Sequence, residues 1–195
     1  MSRNPRGETV RAFVAVDLSA AARAAVAAAF APYRSVTAVG WVAAENLHLT
    51  LKFLGEVAEK KIPHMEDSFA GVANTLSMFS ARLGAPGVFP ALGRPRVIWV
   101  DVLTDENELQ ELARQIDATA GRYGIRTERL GFQAHVTVGR VRRSDGLTPV
   151  MRFVQTGEPL IAPAWSVSSF RLIRSDLTPT GAHYTTLRRF DLRPR

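Results

Sequence analysis

The 195-residue chain contains no cysteine and no long apolar run, and each absence excludes a class of protein. Without cysteine there is no disulfide framework, thiolate metal site or cysteine nucleophile, which agrees with a cytoplasmic location. No stretch approaches the roughly 20 apolar residues of a transmembrane helix, so we expect no membrane partner. The alanine-rich residues 12–31 are a poor signal peptide, because Asp17 and Arg23 interrupt them and Ser19 is placed to cap a helix.

Basic residues exceed acidic ones, and nearly all of them are arginine. Of the 25, three are lysine and 22 are arginine, and the formal net charge is +7. A basic chain favours an anionic partner, most often a nucleic acid. A GC-rich genome also enriches arginine and alanine whatever the function, so charge alone suggests such a partner without identifying it.

The order of strands and helices repeats once along the chain. Residues 1–10 are polar and predict a disordered tail. Two β-α-β-α-β repeats follow, with first strands beginning at Arg11 and Arg96, and they predict a single two-lobed domain over residues 11–195. Because half-buried strands alternate with amphipathic helices, we expect an α+β fold with pseudo-twofold symmetry. Its two antiparallel sheets would be backed by helices and would share a central cleft.

Some element boundaries can be predicted from local signals. Ser19 is placed to cap a helix, and Asp105 with Glu108 resembles a capping box at the start of another. Residues 76–83 alternate like a strand, and the glycines and prolines of residues 84–95 predict a connector without regular structure.

Two strands carry a His-x-Thr pattern at equivalent positions in the two repeats. Residues around each pattern alternate between apolar and other types, as in a strand with one buried face. His48 and Thr50 then share one face of the first strand, and His135 and Thr137 share one face of the second. If these strands lie side by side, two imidazoles and two hydroxyls face the same cleft.

The same alternation assigns the neighbours of these patterns to faces. It places Lys52 on the face of His48, and Phe53 in the core. It also turns Arg140 away from the cleft. We therefore predict that Gly139 marks a β-bulge or a strand end that brings Arg140 into the cleft.

Paired histidines suit general acid–base catalysis. An unperturbed imidazole has a pKa of about 6.5, so one ring can activate water while the other protonates a leaving oxygen. Threonine hydroxyls can hydrogen-bond phosphate oxygens, and arginine can stabilise charge that develops on them. The combination predicts phosphodiester hydrolysis without a metal or cofactor. Neither histidine has a carboxylate or cysteine nearby in sequence to complete a metal shell.

A single His-x-Thr pattern is weak evidence, because it arises easily by chance. His183 and Thr185 form a third instance, but without the apolar alternation of the other two, so we interpret it as incidental. His64 lies among charged residues of a predicted helix and is expected on the surface. The equivalent place of His48 and His135 in the two repeats distinguishes them from both.

The chain resembles the two-histidine phosphoesterases, specifically the RNA 2′,3′-cyclic phosphodiesterases, which are also named 2′-5′ RNA ligases. The resemblance extends over nearly the whole chain. It rests on residues 41–55, residues 87–90 with 94–99, His-Val-Thr-Val-Gly-Arg at 135–140, and a closing hairpin with residues 170–175 followed by Gly181 and Tyr184. It implies a bilobal α+β fold and metal-independent hydrolysis of a 2′,3′-cyclic phosphate to a 2′-phosphate. Ala134 replaces the family's usual proline, which bears on local rigidity more than on activity.

The resemblance also implies roles for matching residues. His135 would activate water, and His48 would protonate the departing 3′ oxygen. Thr50 and Thr137 would hold phosphate oxygens, and Arg140 would contact the phosphate.

Base recognition and partners can be predicted only in outline. Trp41 and Tyr184 lie near the motifs and are candidates to stack on a base. The expected partner is RNA ending in a 2′,3′-cyclic phosphate, such as a tRNA fragment, acted on by a monomer in the cytoplasm.

Three other functions stay open on this evidence. The protein could be a 2′-5′ RNA ligase, a phosphodiesterase for small cyclic nucleotides, or a non-catalytic module that binds RNA ends. A small-nucleotide enzyme would prefer mononucleotides and depend little on salt. A binding module would show a strong salt dependence and no turnover.

Overall fold

The computed structural model describes residues 8–127, 131–179 and 181–195, which contain nine strands and four α-helices. The strands are β1 (Thr9–Asp17), β2 (Val39–Trp41), β3 (His48–Ala58), β4 (Phe79–Phe89), β5 (Val97–Leu103), β6 (His135–Val141), β7 (Trp165–Val167), β8 (Ser169–Thr178) and β9 (Gly181–Asp191). The helices are α1 (Ala20–Phe30), α2 (Ile62–Ala73), α3 (Glu108–Gly121) and α4 (Thr148–Gln155). Within these residues, none of the helices has both the length and the apolar character needed to cross a membrane.

The strands form one antiparallel path in the order β7-β4-β5-β6-β3-β1-β8-β9, and β2 pairs with β6. At the centre of this path, β3 and β6 meet at the residue pair Leu49 and Val136. The α+β class and the antiparallel pairing are therefore confirmed. The sheets differ from the prediction in being continuous, since the two are joined at their shared centre.

The two lobes exchange elements between the sequence repeats. Lobe A contains β3, β1, β8 and β9, whereas lobe B contains β7, β4, β5, β6 and β2. Helix α3 packs on β3 and α2 packs on β9, so both cover lobe A, while α4 packs on β4 of lobe B. Phe30 of α1 contacts Trp41 and Phe153, which also belong to lobe B. Periodicity shows that a face is buried but not which element buries it, so the sequence could not reveal this exchange.

Helix α1 follows the sequence prediction closely. The Ser19 hydroxyl accepts a hydrogen bond from the Ala22 amide at 3.1 Å, which satisfies one of the free amides of the first turn. The side chains of Ala22, Val26 and Phe30 are fully buried, at spacings of one helical turn. Local sequence and tertiary burial therefore agree in this helix.

Strand boundaries differ from the prediction at two places. Strand β1 already begins at Thr9, which pairs with Ala58, so part of the segment predicted as a tail belongs to the sheet. Residues 1–7 lie outside the described residues. Strand β4 continues to Phe89, because it pairs with β5 where the glycines and prolines predicted an irregular connector.

The predicted capping box at α3 is wrong. The helix begins at Glu108, and the residue before it, Asn107, adopts a left-handed conformation with φ of 60° and makes no side-chain cap. Asp105 instead accepts a hydrogen bond from Arg82 at 2.9 Å. A neighbouring cation thus competes with the helix amides for this carboxylate.

Candidate active site

The central pair of strands places each histidine beside the threonine of the other motif. Leu49 pairs with Val136 in antiparallel register, so continuing this register by one residue sets His48 opposite Thr137, and Thr50 opposite His135. Residues directly opposite each other have Cβ atoms about 5 Å apart. The predicted meeting of the two patterns in one cleft thus follows from a single strand pairing with local twofold symmetry.

Both histidines are held by the same backbone hydrogen bond. The Nδ1 atom of His48 lies 2.7 Å from the Asn46 carbonyl oxygen, and that of His135 lies 2.8 Å from the Gln133 carbonyl oxygen. A carbonyl oxygen can only accept, so Nδ1 carries the proton and donates it in each case. This fixes the ring orientation and leaves Nε2 of both residues available for proton transfer.

Aromatic rings pack against both imidazoles. Phe13 stacks on His48 with ring centroids 4.8 Å apart, and Tyr184 meets the same ring edge-on at 5.4 Å. Phe89 meets His135 edge-on at 5.1 Å, and Trp99 lies 6.1 Å from it. Each histidine is therefore immobilised by two rings from other strands of its own lobe.

Burial lowers the pKa of both histidines below its usual value. Desolvation is the largest cause, and nearby arginines lower the pKa further: Arg171 and Arg23 for His48, and Arg140 for His135. The backbone hydrogen bond raises the pKa in both cases without reversing the shift. Both rings are therefore mainly neutral at neutral pH in the free protein, and protonation of one is favoured by an anion nearby.

Each motif histidine also faces an aspartate that the sequence analysis did not single out. Asp17 of β1 pairs with His48, and Asp101 of β5 pairs with His135. The Asp17 carboxylate accepts a hydrogen bond from Arg171, whereas no cation forms a salt bridge with Asp101 among the described residues. Burial raises the pKa of Asp101. A signal was available, since both aspartates lie at nearly the same place in the first strand of their repeats.

A cavity of about 450 Å³ opens between the lobes at this point. Four of the predicted phosphate-site residues line it, namely His48, Thr50, Thr137 and Arg140. His135 is not among its lining residues, but it lies across from Thr50 on the same face of the sheet. The structure thus places four of the five proposed residues on the cavity, and the strand register sets His135 opposite one of them, Thr50.

The predicted bulge before Arg140 is present. Trp99 pairs with Thr137 and Ile98 pairs with Gly139, so Val138 is an extra residue in β6. Val138 and Gly139 are both buried in succession, and Arg140 returns to the face of the histidines. The bulge therefore explains how Arg140 lines the cleft although it lies five residues after His135.

An equivalent bulge in β3 overturns the predictions for Lys52 and Phe53. Ala15 pairs with Thr50 and Val14 pairs with Lys52, so Leu51 is the extra residue. Phe53 consequently lines the cleft, with 56% of its surface exposed, and was wrongly assigned to the core. Strict alternation fails here because a bulge shifts every later side chain to the other face.

Lys52 lies in the interior rather than in the cleft. Its exposed fraction is 3%, and its ammonium group lies 2.6 Å from the Asp117 carboxylate and donates to the Arg126 carbonyl oxygen at 2.7 Å. A buried charge needs such partners, because desolvation is costly. Lys52 thus ties β3 to α3 and to the segment that leads towards β6.

The two residues proposed to stack on a base occupy different positions. Tyr184 lines the central cavity, but its ring packs on His48 and Phe13, and burial raises the pKa of its phenol. Trp41 lies in a neighbouring cavity, where its indole N–H donates to the Val36 carbonyl oxygen at 3.2 Å. Stacking by either residue stays a prediction.

The other two histidines lie outside the central cavity. His64 is exposed on α2, as expected for a surface residue. His183 lines the neighbouring cavity and is also exposed. Among the described residues, no group of three or more histidine, cysteine, aspartate or glutamate side chains is arranged to hold a metal ion.

Comparison with known proteins identifies the family to which this architecture belongs. A family model described as the 2′-5′ RNA ligase superfamily matches residues 19–179. An RNA 2′,3′-cyclic phosphodiesterase from Archaeoglobus fulgidus is 37% identical over 182 residues, which cover 93% of this chain and 100% of the relative.

Solved structures agree with the sequence matches. A structure from Thermus thermophilus has a TM-score of 0.80 at 32% identity, covering 95% of this chain and 99% of the other. Escherichia coli LigT complexed with 3′-AMP has a TM-score of 0.75 at 29% identity, with the same coverage. From sequence and structure together, the chain belongs to the 2′-5′ RNA ligase superfamily.

Proposed function

We propose that the protein is an RNA 2′,3′-cyclic phosphodiesterase that opens the cyclic phosphate at an RNA end to a 2′-phosphate. The observation that carries the proposal is the strand pairing at Leu49 and Val136, which brings two identically hydrogen-bonded histidines to one face. The name of the Archaeoglobus fulgidus relative supports the same activity.

In the proposed reaction, water attacks the phosphorus as the bond to the 3′ oxygen breaks. Nε2 of His135 accepts a proton from the attacking water, and Nε2 of His48 donates a proton to the departing oxygen. The charge on the site is unchanged overall, and a proton returns from His135 to His48 through solvent. No step requires a metal ion.

Other side chains stabilise the phosphate during this exchange. The hydroxyls of Thr50 and Thr137 can donate to the non-bridging oxygens from opposite sides of the cleft. Arg140 supplies a fixed positive charge as negative charge develops on those oxygens. The carbonyls that bind both Nδ1 atoms also stabilise the imidazolium, which offsets part of the cost of burying it.

The lining of the cavity also has the properties of a base-binding site. Phe53 and Leu177 both line it and are exposed by 56% and 66%, and Arg11 is a further lining residue. An exposed aromatic ring offers a stacking surface to any nucleobase. We therefore add Phe53 to Trp41 and Tyr184 as a candidate for base recognition.

The experiment that tests the function uses an oligoribonucleotide ending in a 2′,3′-cyclic phosphate, in the presence of EDTA. We expect turnover to a 2′-phosphate, and a loss of about 10²–10⁴-fold in kcat for His48→Asn and for His135→Asn. His64→Ala is the matched control, because this histidine is exposed and does not line the central cavity. Circular dichroism would verify folding.

Two results would contradict the proposal. One is folded protein that binds the RNA end without turning it over, as a binding module would. The other is turnover that survives both histidine substitutions.

The proposal also includes the oligomeric state, the domain organisation, the location and the substrates of the protein. We expect a monomer whose residues 11–195 act as one two-lobed domain in the cytoplasm, with RNA fragments such as those of tRNA as substrates. Size-exclusion chromatography with light scattering tests the oligomeric state directly.

A further inference from the structure

A second cavity, of about 780 Å³, adjoins the central one. The two share Asn46, Arg140 and Tyr184 among their lining residues. The second is bounded by Trp41 on lobe B and by His183 on the β8–β9 hairpin of lobe A. Arg140 therefore lies at the junction of two connected spaces, one of which leads away from the histidines.

A terminal nucleotide with its cyclic phosphate at the histidines has two further groups to place, its base and its 5′ chain. The central cavity offers the exposed Phe53 for the base. We propose that the second cavity binds the penultimate nucleotide of the RNA, and that the chain then continues over Arg142. This inference rests on the proposed function and extends it, because it makes oligonucleotides better substrates than cyclic mononucleotides.

Arg140 of β6 and Arg142, which lies one residue beyond the end of this strand, place two positive charges beside Gly40 of β2. Gly40 pairs with Arg140, which lines both cavities, so the two residues face the same side of the sheet. A Cβ atom on Gly40 would lie only 2.7 Å from Nε of Arg142, which shows that this guanidinium packs over the glycine on the same face. Glycine at position 40 thus makes room for the second arginine.

These two guanidinium groups are available for phosphates. Among the described residues, no carboxylate forms a salt bridge with Arg140 or Arg142. Arg142 and the adjacent Arg143 both lie outside the residues that line the two cavities, but Arg143 pairs with Asp145 at 3.4 Å. Unpaired arginines at a spacing of two residues along a strand lie about 7 Å apart, and can contact successive groups of an extended chain.

Trp41 supplies a rigid wall for the penultimate nucleotide. Phe30 packs against its ring with centroids 6.0 Å apart, and the guanidinium of Arg34 lies 5.5 Å from the ring centroid. The indole N–H is already bound to the Val36 carbonyl oxygen. A ring held in this way loses little entropy when a base or ribose contacts it.

The test compares 2′,3′-cyclic AMP with a trinucleotide ending in a 2′,3′-cyclic phosphate. We expect the wild-type protein to show a higher kcat/KM for the trinucleotide. Arg142→Ala should lower that value about fivefold, with an unchanged kcat/KM for cyclic AMP. It should also reduce the slope of log(kcat/KM) against log[salt] for the trinucleotide by about 0.7. Arg143→Ala, which removes the same charge, is the matched control and should change neither substrate.

Several outcomes would overturn the inference while leaving the proposed function intact. One is equal efficiency of the wild-type protein on both substrates, and another is an equal effect of Arg142→Ala and Arg143→Ala on the trinucleotide. Loss of turnover on both substrates by Arg142→Ala would place this arginine at the reaction itself. If the folded wild-type protein hydrolysed neither substrate, the proposed function would fail together with the inference.

Discussion

The two motif strands, β3 and β6, have the same backbone arrangement but place different side chains in the cleft. Both carry histidine and threonine two residues apart, and both have a bulge at the third residue after the histidine. The fifth residue after the histidine then returns to the cleft in each strand, as Phe53 in β3 and as Arg140 in β6. The fourth is interior in both, as Lys52 and Gly139.

Under the proposed function, this comparison separates catalysis from recognition. The positions proposed to transfer protons and to hold phosphate oxygens carry the same residue types in both lobes, as expected for two groups that act on opposite sides of one phosphorus. The positions after the bulge differ, so we expect one lobe to offer a ring to a base and the other to offer a charge to phosphates. The proposal thus accounts for symmetry in the residues of the reaction and for asymmetry in those that bind the nucleotide.

Of the substitutions that test this difference between the strands, replacement of Arg140 should have the largest effect on kcat. We expect Arg140→Ala to lower kcat about 10²-fold, because it removes the charge that we propose to stabilise the developing negative charge on the phosphate. Arg140→Lys should recover part of the loss, since it restores the charge but not the planar donor geometry. Steady-state kinetics on the trinucleotide measure both. An unchanged kcat for Arg140→Ala would remove this residue from the phosphate site.

Replacing Phe53 should affect binding rather than turnover. Phe53→Ala is expected to raise KM about 10-fold with little change in kcat, since stacking on one base contributes about 1–3 kcal/mol. Leu92→Ala is the control, because Leu92 is also an exposed large hydrophobic residue but lines none of the cavities described above. A fall in kcat with KM unchanged would show that Phe53 does not serve as a binding surface.

The pH profile of kcat/KM can distinguish the proposed roles of the two histidines. Because burial lowers the pKa of both, both limbs of the kcat/KM profile should lie below the usual histidine value of about 6.5. Asp101 raises the pKa of His135. If His135 is the base, Asp101→Asn should therefore move the acidic limb to lower pH and leave the basic limb in place.

Measuring the two limbs with the trinucleotide checks this assignment. Movement of the basic limb alone would exchange the roles of His48 and His135. Asp101→Glu keeps the carboxylate and serves as the control for a change in packing.

Much of the site could be predicted because it depends on short-range patterns. Alternation around His48 and His135 identified the face that each presents, and Gly139 indicated the bulge that brings Arg140 back to it. The same reasoning failed for Lys52 and Phe53, because the apolar residue Leu51 gives no sign that it is the bulged position. A bulge depends on the register with the neighbouring strand, which a single strand does not encode by itself.

In the fold, too, features that depend on nearby residues could be predicted, and features that depend on distant residues could not. The cap at Ser19 and the buried stripe of α1 were predictable, since a helix start depends on atoms within one turn. The failed capping box at Asp105 depended on Arg82, which approaches from another strand. The exchange of β4, α1 and α3 between lobes likewise depended on long-range packing that periodicity does not specify.

By itself, the sequence determined which side chains are available for the proposed chemistry: two histidines and two threonines on half-buried strands, in a basic chain, with an arginine that a glycine could redirect. Tertiary structure decided how they are used. The pairing of Leu49 with Val136 sets each histidine beside the other motif's threonine, and burial lowers both histidine pKa values. Register, and the desolvation that follows from packing, depend on residues far apart in the chain, so neither is available from any one stretch of it.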